Sequence, residues 1–216
     1  MAGFFLTFEG VEGGGKTTQV TLLAEALRAQ GREVLITREP GGTEVGQVLR
    51  RILLEPTDTP LASEAELLLM LADRAQHVHE VILPGLRADK VVISDRFVDS
   101  TIAYQGYGRG IPLDLLERFN TFVCGECMPA LTLILDLPVT AGLQRANKRR
   151  GVVEKTDTFE AQAVDFHERV RAGFLAVANT QPERLCLINA DRSVEVIHQE
   201  ILAIVRGRMR GIKRKT

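Results

Sequence analysis

The sequence has no surplus of either charge: 27 lysines and arginines stand against 28 aspartates and glutamates, a net charge of −1. Dedicated polyanion binders carry a strong basic excess, so nucleic-acid binding is not expected as the main function. The basic tail, "RGRMRGIKRKT" at 206–216, is short and terminal and reads as a solvated end. Cysteine is also scarce. Cys124, Cys127 and Cys186 form an odd set without a disulfide framework, and the C-x-x-C pair has no second pair or histidine pair to complete a zinc site. Ordinary thiols are expected. No apolar run approaches ~18 residues and no leader-like stretch opens the chain, so no membrane partner and a cytoplasmic location are expected. No repeat, low-complexity tract or flexible linker divides the 216 residues, and 45% hydrophobic content can fill one sizeable core. A single domain over 1–216 is expected.

Five short apolar runs stand out: "FFLTFE" from residue 4, "VLIT" from 34, "VVISD" from 91, "LTLILD" from 131 and "LCLIN" from 185. Amphipathic helical stretches separate them. That alternation predicts an α/β fold in which five buried parallel strands are covered on both faces by helices. Ligands of such sheets bind beyond the carboxyl ends of the strands.

The first of those ends carries "GVEGGGKT", residues 10–17. Gly10, Gly15, Lys16 and Thr17 match G-x-x-x-x-G-K-[ST], with a strand before and a helix after, marked by Val20, Leu23 and Leu27. Backbone N–H groups of such a turn converge on phosphate oxygens because no Cβ blocks the approach and the helix N-terminus favours negative charge. Lys16 is expected to reach the β and γ phosphates of a purine triphosphate, and Thr17 to offer its hydroxyl to Mg²⁺. Gly10, Val11, Glu12, Gly13, Gly14, Gly15, Lys16, Thr17 and Thr18 form the expected ATP cradle.

The other strand ends carry further chemistry. Asp95 closes the third run as a second magnesium ligand, and Arg96 follows at once, its planar fork suited to a phosphate. Two phosphate-bearing ligands facing one another are implied. "AELLLMLADRAQH", residues 65–77, is apolar around most of its helix and should be buried on more than one face. Arg74 within it needs a partner, which either a structural carboxylate or a ligand would supply. A GTPase switch is disfavoured, because D-x-x-G is replaced by "DRFV" and N-K-x-D by "NKRR".

The ordered set "FEGVEGGGKTTQ", "TREPGGT", "DRFVDSTIAYQG", "LTLILDLP" and "DFHERVR" resembles the bacterial thymidylate kinase family over nearly the whole chain. The resemblance implies a three-layer P-loop kinase fold with strand order 2-3-1-4-5. It implies transfer of the γ-phosphoryl group of MgATP to thymidine monophosphate (dTMP), giving the diphosphate for dTTP synthesis, by a homodimer joined through packed helices. It assigns Arg50, Arg96 and Ser100 to the acceptor nucleotide, Arg74 and Gln105 to thymine, and Glu12 and Tyr104 to the deoxyribose. Two positions depart from the family pattern. Met70 stands where many members stack a phenylalanine on thymine, and a thioether can still contact an aromatic face. Thr158 stands in "DTFE" where the lid usually has "DRFE". In the expected lid, about residues 142–160, Arg145, Lys148, Arg149, Arg150 and Lys155 remain as cations. Arg149 or Arg150 is expected to supply the main transition-state charge, since a guanidinium forks across phosphate oxygens.

Overall fold

The computed structural model describes residues 3–56, 58–150, 158–159 and 162–212. Its sheet has five parallel strands in the order β2-β3-β1-β4-β5, with β1 Phe4–Glu9, β2 Val34–Arg38, β3 Val91–Asp95, β4 Leu131–Asp136 and β5 Leu185–Asn189. The three central strands are buried along almost their whole length because helices cover both of their faces, and Leu6, Phe8, Ile93, Leu131 and Leu133 are fully buried. β2 and β5 are not buried in this way. They are the sheet's edges, and Ile36 and Leu187 remain about half exposed where less of the helical layers reaches them.

Strand register builds the site. Phe8 pairs with Asp95 across β1 and β3, and Arg38 pairs with Asp95 across β2 and β3. The turns leaving β1, β2 and β3 therefore open side by side at the carboxyl edge of the sheet. Helix α1 (Lys16–Arg28) follows the first turn and buries Val20, Leu23 and Leu27 on the core, with α9 (Val194–Ile212) beside it. Gln19 pins the two helices by donating from Nε2 to Val194 O at 2.9 Å.

Two glycines make the first turn possible. A Cβ on Gly10 (φ 124°) would lie 2.3 Å from the Leu135 carbonyl oxygen, and one on Gly13 (φ 71°) would lie 2.1 Å from that of Gly142. The loop thus sits directly on β4 and the start of α7 (Val139–Arg150), leaving no room for a side chain.

On the other face, α2 (Glu44–Leu54) begins at Thr43, whose hydroxyl accepts from Gly46 N at 2.9 Å, and packs against α3 (Ser63–His77). Only one side of α3 is enclosed, contrary to the sequence expectation. Glu66, Leu67, Leu71, Asp73, Arg74 and His77 are buried, while Leu68 is 57% exposed. Val45, Val48 and Ile52 of α2 are also exposed, as is Phe122 (86%) of α6 (Leu113–Cys124), so apolar surface on three helices is left uncovered by the chain itself. Cys124 and Cys127 are free thiols packed in the core with Phe5, Val92 and Phe97.

Candidate active site

The open turns enclose a cavity of about 290 Å³. Its walls include Glu12 to Thr18 of the glycine loop, Arg50 of α2, Met70 and Arg74 of α3, Asp95, Arg96 and Ser100 after β3, and Tyr104 and Gln105. The last two lie on a π-helical segment, Ile102–Gly108, that continues α5 (Val98–Thr101). Gly10 and Val11 stand just behind, where their carbonyl oxygens accept from Lys16 Nζ at 3.1 and 3.0 Å. The side chains of Arg149 and Arg150, at the end of α7, and the whole of Lys155 lie outside the described residues. Arg145 of the same basic run is turned elsewhere, pairing with Asp191 at 2.9 Å and donating to Ala190 O.

One end of the cavity is ionic. Thr17 Oγ1 approaches Asp95 Oδ2 at 3.3 Å, so a hydroxyl and a carboxylate oxygen converge at the start of α1, a donor set that suits a hard cation. Burial lowers the Lys16 pKa and the nearby Arg96 charge lowers it further, against the opposing pull of Glu12, Asp95 and Glu9. Five cationic side chains line the cavity against three carboxylates. Such a surface is suited to polyanionic ligands.

Arg96 stands at the junction of the loops. Its φ of 73° is left-handed, an uncommon conformation for a residue with a side chain. Its Nη1 donates to Gly10 O (3.1 Å) and Ser100 Oγ (3.2 Å), and Nη2 donates to Glu12 Oε1 (2.5 Å) and Tyr104 OH (3.1 Å). Its guanidinium also lies over the Tyr104 ring, 5.0 Å from the centroid. Burial opposes the Arg96 charge, but Tyr104, Glu12, Asp95 and Glu9 more than offset this, and its pKa is raised. Tyr104 is pushed upward by its own burial.

Glu9, which the sequence reading passed over as the end of a buried strand, anchors that junction. Its Oε1 accepts from Phe97 N at 2.7 Å and Ser100 N at 3.3 Å, and Oε2 accepts from Ser100 Oγ at 2.6 Å. Complete burial, then the Asp99 charge, raise its pKa from 4.5 to about 8, although Arg96 and the hydrogen bonds from Ser100 and Phe97 pull the other way. An acidic residue closing an otherwise apolar run was the available signal.

The other end of the cavity is more apolar, with Leu54, Met70, Phe97, Tyr104 and Phe159 lining it together with the polar groups of Arg74 and Gln105. Arg74 has a structural carboxylate as partner: Nε donates to Glu39 Oε2 at 2.9 Å. Nη1 donates to Thr101 Oγ1 and Asn120 Oδ1, and Nη2 to Phe97 O. Glu39 also pairs with His77 Nδ1 at 2.8 Å, in the stretch "TREPGGT". Thr158, where the family's lid arginine was expected, is tied by both its N–H (3.1 Å) and its hydroxyl (3.2 Å) to Leu54 O. Its neighbour Phe159 faces the cavity.

Comparison with known proteins agrees with this geometry. A family model described as thymidylate kinase matches residues 8–201. The chain is 49% identical over 215 residues to a thymidylate kinase of Desulfovibrio desulfuricans, covering 96% of this chain and 99% of that protein. It is 48% identical over 209 residues to one of Halothermothrix orenii, covering 96% and 98%. The crystal structure of thymidylate kinase from Ehrlichia chaffeensis superposes with a TM-score of 0.75 at 36% identity, over 95% of this chain and 99% of that one.

Glu9 makes the site sensitive to pH. Between its ordinary 4.5 and the folded value of about 8, the folded chain holds a proton that the unfolded chain has released. This group's favourable contribution is therefore full below pH 4.5 and is lost as pH rises through about 8. A Glu9→Gln variant, which keeps a hydrogen-bonding oxygen without the charge, should gain melting temperature relative to the parent as pH is raised from 5 to 8.5. A difference that stays constant across that range would show that Glu9 is not the titrating group.

Proposed function

The chain belongs to the thymidylate kinase family, a kinase that phosphorylates dTMP to the diphosphate with ATP, and we propose that it does so by direct in-line transfer inside the cavity at the carboxyl edge of its sheet. The observation that carries this reading is the meeting of a glycine-rich phosphate loop, the Thr17–Asp95 oxygen pair and the Arg96 fork in one cavity. The loop from Gly10 to Thr18 takes the phosphates of ATP. Lys16, freed from its carbonyl partners, follows the γ-phosphoryl group. Thr17 and Asp95 would hold Mg²⁺, which would supply positive charge against the phosphates of ATP.

Arg96, Arg50 and Ser100 hold the phosphate of dTMP. That phosphate is already anionic near neutral pH, so its oxygen attacks without a strong general base, and rate enhancement comes from positioning and charge neutralisation. Thymine occupies the apolar end, against Met70, with Arg74 and Gln105 at its polar edge. Glu12 and Tyr104 border the deoxyribose. Arg149 or Arg150 supplies further cationic charge to the transition state. All 216 residues act as one domain. The uncovered apolar surface of α2, α3 and α6 supports a homodimer packed through those helices. No helix among the described residues is long and apolar enough to cross a membrane, which agrees with a cytoplasmic enzyme working on soluble nucleotides.

Two experiments test this. Offered a panel of nucleoside monophosphates with MgATP, the enzyme should release ADP fastest with dTMP. The 5-methyl group, worth only ~1–3 kcal/mol in an apolar pocket, should leave deoxyuridine monophosphate a poorer but real substrate. Adenylate or guanylate outrunning dTMP would defeat the assignment. Lys16→Ala should abolish transfer while the far-ultraviolet dichroism stays that of the parent; loss of the fold instead would mean that the lysine's bonds to Gly10 and Val11 are its main role.

A further inference from the structure

Gln105 and Glu66 form a buried pair whose chemistry bears on which base the cavity accepts. Gln105 is 2% exposed and lines the apolar end; Glu66, on the enclosed side of α3, is 4% exposed and does not line the cavity. Gln105 Nε2 donates to Glu66 Oε1 at 2.9 Å. Arg109 donates to the same carboxylate twice, from Nε to Oε1 at 3.3 Å and from Nη2 to Oε2 at 2.8 Å. Arg109 is itself held, donating from Nη1 to Gln162 Oε1 at 3.0 Å and lying 4.6 Å from the Phe166 ring centroid.

An ion-paired carboxylate can only accept hydrogen bonds, whereas an amide has one donating and one accepting end. The orientation of the Gln105 amide is therefore dictated by its neighbour. Its NH₂ is committed to Glu66, and Oε1 is the end left for a ligand. We infer that Glu66 is a positioning residue that sets base specificity, locking Gln105 so that the site takes a pyrimidine bearing N3–H and refuses one whose N3 is a bare acceptor. Thymine and uracil offer N3–H as a donor. Cytosine turns a lone pair toward the same oxygen, leaving two buried acceptors face to face. This inference rests on the proposed placement of the base at the apolar end.

Glu66→Gln reverses the lock. The new amide has one accepting oxygen, which the Arg109 cation claims, so its NH₂ turns to Gln105 and Gln105 flips, presenting its own NH₂ to the cavity. Steady-state kcat/KM would be measured with dTMP, deoxyuridine monophosphate and deoxycytidine monophosphate for the parent, for E66Q and for the exchanged double variant E66Q/Q105E. The parent should prefer the first two. E66Q should lose activity on both together and narrow their lead over the cytosine nucleotide by ~10- to 100-fold. E66Q/Q105E, which again turns an accepting oxygen to the cavity, should recover much of that lead. An E66Q enzyme that slows equally on all three substrates would overturn the inference, because a merely structural glutamate predicts that result. A parent indifferent to the three bases would remove the proposed placement of thymine, and the inference with it. Should E66Q not fold, N3-methylated dTMP tested against the parent decides: binding weakened by ~100-fold or more is expected, and binding equal to that of dTMP overturns the lock.

Discussion

Arg96 leaves β3 in a left-handed conformation, φ 73°, which costs a side-chain-bearing residue roughly 1–2 kcal/mol. That corner turns the guanidinium back across the sheet edge, where it meets Gly10 O, Glu12, Ser100 and Tyr104. The contacts come from both sides of the β1–β3 pairing, so the strained corner joins the glycine loop after β1 to the segment after β3. Glu9 holds it from beneath through the Phe97 and Ser100 amides. The cavity keeps its shape because these groups restrain one another.

The same arrangement explains the charge pattern. Burial and the Arg96 charge both lower the Lys16 pKa, while Glu12 and Asp95 favour the charged form of Lys16 and of Arg96. In the proposed reaction a polyphosphate would draw Lys16 from two carbonyls and relieve its repulsion from Arg96, which would couple ligand binding to site organisation. At the apolar end of the cavity the logic is reversed. Arg74 and Gln105 are already committed, to Glu39 and Glu66, and what they present to a ligand is set by those partners rather than by free rotation.

Much of this was legible in the sequence, and the boundary of what was legible follows physical lines. The glycine loop, Asp95 and Arg96 could be read because backbone geometry and strand ends demand those residue types at those spacings. The strand runs were also readable, although burial at the edge strands β2 and β5 depends on position in the sheet, which local composition does not encode. Glu9, Glu39 and Glu66 escaped notice for another reason: each acts through a partner distant in sequence, and local composition does not announce what a carboxylate pairs with. The α3 helix shows the same limit, since apolarity around its circumference predicted enclosure while Leu68 stays exposed in the isolated chain.

The central claim is that the Arg96 corner grips the acceptor phosphate rather than ATP. Calorimetric titration of Arg96→Ala with each nucleotide tests it most directly. Loss of a buried charged partner should weaken dTMP binding by about 30-fold or more, corresponding to ~2 kcal/mol, while ATP affinity changes only a few-fold. Equal losses for the two nucleotides would contradict the account, and a larger loss for ATP would assign Arg96 to the donor side.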